Sequence, residues 1–178
     1  MSIRHFQQHQ PKIADKVYID TQACIIGDVV IAADSSVWPM TVIRGDVNSI
    51  RIGERCNIQD NSVLHVTHDG PYVPGGFSLS LGNDVTIGHH VTLHGCTLHD
   101  FCLIGMGATV MDGAVVESDV IVGAGSLVTP KKILNSGFLY TGSPARQIRK
   151  LTADEIESLR YSSQHYVRLK NNYLAQKK

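Results

Sequence analysis

Leu98-His99-Asp100-Phe101-Cys102-Leu103-Ile104-Gly105-Met106-Gly107-Ala108-Thr109-Val110 is the stretch in which the period of this chain is clearest. An aliphatic residue returns every six positions and continues to do so up to Val128. A helix would show a period of 3.6 and an exposed strand a period of two, so neither fits. A six-residue period is typical of a parallel β-helix, in which each hexad supplies one short strand and a turn. We therefore predict a mainly β fold in which three hexads close one coil and neighbouring coils stack at about 4.8 Å.

The same period extends towards the N-terminus with three interruptions. Arg44-Gly45-Asp46 begins a shift of three residues, and one residue is lost between Leu93 and Leu98. The third interruption, residues 67–80, is rich in Gly and Pro, which predicts a loop extruded from the coil. The aliphatic positions of these earlier hexads are Ile19, Ile25, Ile31, Val37, Ile43, Ile52, Ile58, Leu64, Leu81, Ile87 and Leu93.

Three segments follow from this pattern: an N-terminal segment (1–16), a β-helix (17–146) and a C-terminal helical segment (147–178). Thr152-Ala153-Asp154-Glu155 has the form of a capping box that begins a helix. An apolar stripe at helical spacing follows, which predicts packing of this helix against the solenoid or a neighbouring subunit. The stripe consists of Ile156, Leu159, Ser163, Tyr166, Val167, Leu169 and Tyr173.

Composition excludes several classes of function. Lys plus Arg and Asp plus Glu both number 16, so nothing favours a nucleic-acid partner. The four cysteines form no C-x-x-C pair and read as reduced structural thiols. The first residues lack an apolar segment of the signal-peptide kind, and no apolar stretch approaches about 20 residues. We expect a cytoplasmic protein with no membrane partner.

Two histidines share one position of the repeat. With the loop removed, the hexads of Leu64 and Leu93 are three hexads apart, which is one full coil. His65 and His94 each follow the aliphatic residue of their hexad, so they should stack on the same face about 4.8 Å apart. That spacing allows two imidazoles to converge on one metal ion.

A third histidine, His89, belongs to the preceding hexad and therefore projects from a different face. It cannot easily reach an ion held by His65 and His94 of its own chain. In a threefold-symmetric homotrimer, a neighbouring subunit can supply it, and symmetry then gives three equivalent sites. Three histidines with a fourth position open form the catalytic zinc pattern, which makes hydroxide available at neutral pH. Iron or cobalt fits the same set of ligands.

Four stretches together resemble the γ-class carbonic anhydrase family. They are Ile43-Arg44-Gly45-Asp46, Asn57-Ile58-Gln59-Asp60, Leu64-His65 and Gly88-His89-His90-Val91-Thr92-Leu93-His94-Gly95. The likeness runs from about Val17 to Arg146, continues into the C-terminal helix, and is nearest to the short-loop bacterial subgroup of the YrdA or PaaY type. It implies that the β-helix is left-handed, a feature that the spacing does not show.

The resemblance also implies roles for individual residues. The family's metal ligands correspond to His65, His89 and His94, in agreement with the phase argument. Its glutamine and asparagine beside the metal-bound water correspond to Gln59 and Asn57. Its arginine and aspartate correspond to Arg44 and Asp46, an interface ion pair suited to steering bicarbonate or simply to holding the trimer together, with Asp60 expected in the same network. The last residue implied, Tyr140, is expected to reach the metal-bound water.

One departure from the family pattern concerns proton transfer. The acidic loop that carries a proton-shuttling glutamate in the family is missing, since the loop at 67–80 contains only Asp69 as an acid. Hydration of CO2 requires removal of a proton on every turnover, which argues for weak activity unless another group, such as His68, substitutes.

The leading prediction is a carbonic anhydrase-like zinc lyase that hydrates CO2 to bicarbonate at trimer interfaces. Two alternatives stay open. The first is a hexapeptide acyltransferase or a metal-dependent acyl-CoA thioesterase, because Gly142-Ser143-Pro144-Ala145-Arg146 resembles the segment at which acyltransferase solenoids end. The second is a catalytically silent trimeric scaffold that keeps the metal for assembly.

Overall fold

The computed structural model describes residues 2–176, which form twenty short strands and one long helix. The strands are, in chain order, β1 (Ser2–Arg4), β2 (Lys12–Ile13), β3 (Tyr18–Ile19), β4 (Cys24–Ile31), β5 (Ser36–Val37), β6 (Val42–Ile52), β7 (Asn57–Ile58), β8 (Val63–His65), β9 (Leu79–Leu81), β10 (Thr86–Ile87), β11 (Thr92–His94), β12 (Thr97–Leu98), β13 (Leu103–Ile104), β14 (Thr109–Val110), β15 (Val115–Val116), β16 (Ile121–Val122), β17 (Leu127–Val128), β18 (Ile133–Leu134), β19 (Phe138–Thr141) and β20 (Arg146–Lys150). The helix is α1 (Ala153–Gln176).

The strands lie on three faces of a solenoid. The first face contains β8, β11, β14 and β17, the second contains β9, β12, β15 and β18, and the third contains β3, β5, β7, β10, β13, β16 and β19. The long strands β4 and β6 turn the corner between the first and second faces. Every pairing between these strands is parallel, and only β20 adds to β19 in the antiparallel direction. The predicted parallel β-helix with a C-terminal helix is confirmed.

The register reproduces the coil length that the repeat predicts. Thr109–Val110 pairs with Leu127–Val128, eighteen residues later. Leu93 pairs with Val110, a step of seventeen, which accounts for the residue lost after Leu93. Between β4 and β6 the register shifts after Gly27 by three residues, as expected for the interruption at Arg44. The third interruption is the expected extruded loop, closed by the antiparallel bridge between Thr67 and Phe77.

The aliphatic residues of the hexads form one continuous core along the solenoid axis. Each of them lies opposite its counterpart in the next coil, so the side chains stack in contact. Burial of each such side chain contributes roughly 1.5–3 kcal/mol, and the repeat multiplies this contribution along the stack. One column of this core, fully buried throughout, is Ile25, Ile43, Leu64, Leu93, Val110 and Val128.

The N-terminal residues are already part of the solenoid. β1 and β2 both pair with β4, in register with its two halves. The six-residue period does not show this, because a tight turn bridged between Phe6 and His9 separates the two strands. Among residues 2–176, no helix is long and apolar enough to cross a membrane.

Helix α1 begins at the predicted capping box and packs along one corner of the solenoid. The Thr152 Oγ1 accepts from the Glu155 backbone N–H at 3.2 Å, and a Glu155 carboxylate oxygen accepts from the Thr152 N–H at 2.8 Å. Leu159 and Ser163 are buried, and Tyr173 packs against Tyr18. The helix therefore packs against the solenoid of its own chain.

The corner beneath α1 is a column of residues in the left-handed backbone region, one from each of six successive coils. Asp and Asn tolerate this conformation better than most residues, and three of the six positions are Asp. The carboxylate of each of these three aspartates interacts with a side chain of the helix: Asp34 accepts a hydrogen bond from Lys170, Asp84 accepts one from Ser163, and Asp119 forms an ion pair with Arg160. The column consists of Asp34, Arg55, Asp84, Phe101, Asp119 and Gly137.

Replacing Asp34 with asparagine should destabilise the protein measurably. The Lys170 side chain is fully buried, and its Nζ donates to Asp34 Oδ1 at 2.9 Å and to Asn171 Oδ1 at 2.7 Å. Asp34→Asn keeps the backbone conformation but leaves a buried ammonium without its counter-charge. We expect a loss of about 1–3 kcal/mol in the free energy of unfolding, measured by denaturant titration. The double variant Asp34→Asn/Lys170→Met should recover most of that loss, and equal stability of Asp34→Asn and wild type would contradict this account.

Candidate metal centre

His65 and His94 lie side by side on the first face of the solenoid. They are paired residues of β8 and β11, and because Leu64 and Leu93 point inward, both imidazoles point outward. The His65 Nδ1 is 3.0 Å from the His94 Nε2. Two nitrogens bound to one tetrahedral metal at about 2.05 Å would be about 3.3 Å apart. The predicted stacking of these two histidines is confirmed, and a small separation is enough to place a metal ion between them.

The other ring nitrogen of each of these histidines is held by a carboxylate. The His65 Nε2 is 3.0 Å from Asp46 Oδ1, and the His94 Nδ1 is 2.8 Å from Asp112 Oδ1. A carboxylate on the far nitrogen fixes the ring and raises its basicity, which is the usual support for a metal-binding histidine. Burial is the main reason that the pKa of His65 lies below its ordinary value, so the neutral imidazole that a metal requires is favoured.

Asp46 contacts both His65 and Arg44 through its carboxylate oxygens. Burial opposes ionisation of the Asp46 carboxyl, but hydrogen bonds from Arg44 and His65 outweigh it and hold its pKa below the ordinary value. The Arg44 Nη1 is 2.5 Å from Asp46 Oδ2, and the guanidinium remains 42% exposed. The predicted ion pair between these two residues therefore exists within the chain, and Arg44 keeps donors available to an anion at the surface.

Asp112 is a site residue that the sequence interpretation missed. Its Oδ1 accepts from Thr67 Oγ1 at 2.8 Å as well as from His94, so it also fixes the first residue of the extruded loop. Counting along the repeat does not find it, because Leu93 pairs with Val110, so Met111 is the residue equivalent to His94 in the next coil and Asp112 lies one residue further.

His89 lies on a different part of the surface, after β10 on the third face. Its Nδ1 is 2.9 Å from Asp60 Oδ2, which leaves Nε2 directed elsewhere. Within the chain, Asp60 therefore supports His89, and its expected place in the interface network of Arg44 and Asp46 stays a prediction. Among residues 2–176 of a single chain, no three His, Cys, Asp or Glu side chains come together to hold a metal ion. One chain thus brings two of the predicted histidines together and leaves the third apart.

Gln59 lies beside His89 in a groove of about 340 Å³ between the third face and α1, bordered also by Met106, Ala124 and Tyr166. The Gln59 Nε2 donates to Asn57 Oδ1 at 3.0 Å. Asn57 is fully buried beneath it, so it supports Gln59 and does not itself line the groove. The two amides occupy neighbouring positions as predicted, with different functions.

Tyr140 is not near the histidines. Its ring lies in the solenoid core at β19. This strand is three strand steps from β10, which precedes His89, along the third face, a distance of about 14 Å. Its hydroxyl accepts from the Asn135 N–H at 2.8 Å and donates to Gln147 Oε1 at 3.0 Å. The structure therefore gives Tyr140 a role in closing the end of the solenoid, contrary to the expectation that it reaches the metal-bound water.

The donor set fits a divalent metal. Each of the three histidines has one ring nitrogen held by an aspartate, and imidazole nitrogens are the ligands of catalytic zinc sites. What a single chain lacks is the third ligand at the position where His65 and His94 meet.

Comparison with known proteins finds both carbonic anhydrases and hexapeptide transferases. The family model described as bacterial transferase hexapeptide (six repeats) matches residues 95–130. Protein YrdA of Escherichia coli (strain K12) is 52% identical over 174 residues, covering 98% of this chain and 95% of that protein. A carbonic anhydrase of Geobacillus kaustophilus is 40% identical over 165 residues, with coverage of 93% and 87%. A hexapeptide transferase family protein of Anaplasma phagocytophilum has the same fold, with a TM-score of 0.88, 40% identity and coverage of 97% and 98%.

Proposed function

Since this chain belongs to the γ-class carbonic anhydrase family of hexapeptide-repeat proteins, we propose that it hydrates CO2 to bicarbonate at a metal ion shared between adjacent subunits. The observation that carries the proposal is the common environment of the three histidines. Each of His65, His89 and His94 has an aspartate on one ring nitrogen, and the other ring nitrogens of His65 and His94 face each other at 3.0 Å.

The second subunit is required by the arrangement of ligands. His65 and His94 converge within one chain, whereas His89 projects from another face. In a cyclic homotrimer the third face of one subunit meets the first face of the next, so each site takes two histidines from one chain and one from its neighbour. Zinc suits three imidazoles with one open position, and iron or cobalt is accommodated by the same set.

A divalent metal bound by these histidines would lower the pKa of a coordinated water to about 7 and so supply hydroxide at neutral pH. Gln59 is placed beside His89 to orient the reacting water with a neutral amide that does not compete as a ligand. Apolar side chains such as Met106 line the rest of the groove and provide room for CO2. The exposed Arg44 guanidinium offers its donors to bicarbonate.

The test combines two measurements on one sample of purified protein. We expect one metal ion per subunit and CO2 hydration, followed by stopped flow, that is lost on chelation and regained on adding zinc back. A full metal site without hydration would refute the proposed reaction, and an absence of metal binding would refute the proposed site. A silent scaffold is distinguished by chelation as well, because it would lose its trimer while having no turnover to lose.

Hydrolysis of acyl thioesters is a second candidate because of the size of the groove. About 340 Å³ exceeds what CO2 requires, and its lining is mostly apolar. The attacked carbonyl of a thioester resembles CO2 chemically, so the same metal site would serve. A panel of acyl-CoA substrates tests this candidate. Metal-dependent release of CoA faster than CO2 hydration would favour it over the leading proposal.

Acyl transfer of the usual hexapeptide kind has less support. The Gly142–Arg146 segment uses its backbone to close the last coil: the Gly142 carbonyl accepts from Leu127 N at 2.9 Å, and the Ala145 N–H donates to Leu127 O at 2.7 Å. These groups are therefore not free to bind a cofactor. The acyltransferase proposal would need CoA to bind elsewhere on the solenoid, which isothermal titration with CoA tests directly.

A further inference from the structure

A chain of four hydrogen-bonded side chains leads from helix α1 to Gln59. The Ser162 Oγ of the helix is 3.0 Å from the Thr86 Oγ1 of β10. The Asn57 Nδ2 donates to that same Thr86 Oγ1 at 2.9 Å, and the Gln59 Nε2 donates to Asn57 Oδ1 at 3.0 Å. Asn57, Gln59 and Thr86 are all buried, so water does not substitute for the bonds between them.

Thr86 is the acceptor at one end of the amide pair. A hydroxyl has one hydrogen to donate, and because the Thr86 oxygen accepts from Asn57, its hydrogen is available for the Ser162 oxygen. Asn57 presents its Nδ2 to Thr86 and its Oδ1 to Gln59. Gln59 in turn must present its Nε2 to Asn57, which leaves Oε1 as the acceptor for an occupant of the groove.

We propose that Thr86, supported by Ser162, is a positioning residue that holds the Asn57 and Gln59 amides in place, with the Gln59 Oε1 facing the groove. This inference rests on the proposed function. A carbonyl oxygen accepts the hydrogen of the reacting water and leaves its lone pair for CO2. A reversed amide would instead donate an N–H to that lone pair and compete with the reaction. The orientation of one amide thus matters more than its presence.

The helix takes part because its position is set independently of Gln59. Ser162 lies between two residues that contact the corner column, Arg160 with Asp119 and Ser163 with Asp84. These contacts fix the position of the helix on the solenoid, and they therefore hold Ser162 opposite Thr86. On the strand side, a β-branched residue such as threonine has few χ1 rotamers, so the hydroxyl of Thr86 is directed with little freedom. The C-terminal helix is therefore part of the support of the active site.

Thr86→Val and Thr86→Ser form a matched pair to test the proposal. Valine keeps the shape of threonine but removes both the donor and the acceptor, whereas serine keeps the hydroxyl. In Thr86→Val we expect kcat to fall by about tenfold, the cost of one buried hydrogen bond, with KM and metal content unchanged. Thr86→Ser should restore kcat to near the wild-type value. Ser162→Ala, which lies on the helix and should fold in any case, should give a smaller decrease in kcat.

A second readout does not depend on activity. In ¹⁵N-labelled protein, the side-chain NH₂ signals of Asn57 and Gln59 should shift and exchange faster with water in Thr86→Val than in Thr86→Ser or wild type. Unchanged NH₂ signals in Thr86→Val would overturn the proposal, and so would equal losses of kcat in the valine and serine variants. If the wild-type protein does not hydrate CO2, the proposed function fails, and the NH₂ signals still decide whether Thr86 fixes the two amides.

Discussion

Replacing His94 with alanine is expected to give a folded solenoid that no longer retains a metal ion. His94 Nε2 and His65 Nδ1 face each other at 3.0 Å, and under the proposed function they are the two ligands that one chain contributes. Without His94, each site would keep only His65 and the His89 of a neighbouring subunit. Loss of a residue that supports a ligand typically costs about 10–100-fold in metal affinity, and loss of the ligand itself should cost well more. Hydration of CO2 should fall together with the metal content.

The measurement is metal content per subunit after gel filtration in metal-free buffer, with stopped-flow hydration on the same fractions. His90→Asn is the matched control, because His90 is exposed, follows the ligand His89 and has a left-handed backbone that asparagine tolerates. This control should keep the metal content and the hydration rate of the wild type. Full metal content in His94→Ala would show that the metal is bound elsewhere.

Replacing Asp112 with asparagine should lower the affinity for the metal by about 10–100-fold. Asp112 Oδ1 accepts from His94 Nδ1 at 2.8 Å, and a neutral amide is a weaker acceptor than a carboxylate. Asp112 also accepts from Thr67 Oγ1, so the variant frees the first residue of the extruded loop. Both effects leave the His94 ring less firmly oriented. The dissociation constant of the metal, measured by competition with a chromophoric chelator, should therefore rise.

Asp69→Asn is the control for the Asp112 variant. Asp69 lies in the same loop, and its Oδ1 accepts from the Gly75 N–H at 2.7 Å with no histidine involved. The Asp69→Asn variant should bind the metal as tightly as the wild type. A dissociation constant for Asp112→Asn within a factor of about two of the wild type would mean that the carboxylate does not support the ligand.

The period of the sequence was enough to predict the fold and the stacking of two histidines. Both follow from counting, because inward aliphatic residues fix the register and His65 and His94 occupy the same position in their hexads. The same count applied one coil further reaches Met111, one residue short of Asp112, so the repeat alone does not identify this carboxylate. The resemblance placed Asp60 in the interface network of Arg44 and Asp46, and gave no sign of its contact with His89 within the chain.

Other features depend on contacts that no local pattern contains. The helical stripe predicts an apolar contact with the solenoid, but nothing near Lys170 indicates that its amine is buried against Asp34, 136 residues away. Tyr140 was assigned by resemblance alone, and its hydroxyl is occupied by Asn135 and Gln147. The hydrogen bond between Ser162 and Thr86 likewise joins residues 76 positions apart. Periodicity thus predicts the scaffold, while long-range polar contacts require the structure.

The central claim, a metal site shared between subunits, is tested most directly by mixing two inactive variants. His89→Ala subunits keep His65 and His94, and His65→Ala/His94→Ala subunits keep His89. Each variant alone should bind no metal and hydrate no CO2. Mixed trimers, isolated after co-expression with two different tags, should regain metal and hydration at one of their three sites, about a third of the total, whichever variant is in the majority. Full metal binding by His89→Ala alone, or no recovery in isolated mixed trimers, would contradict a site built from two chains.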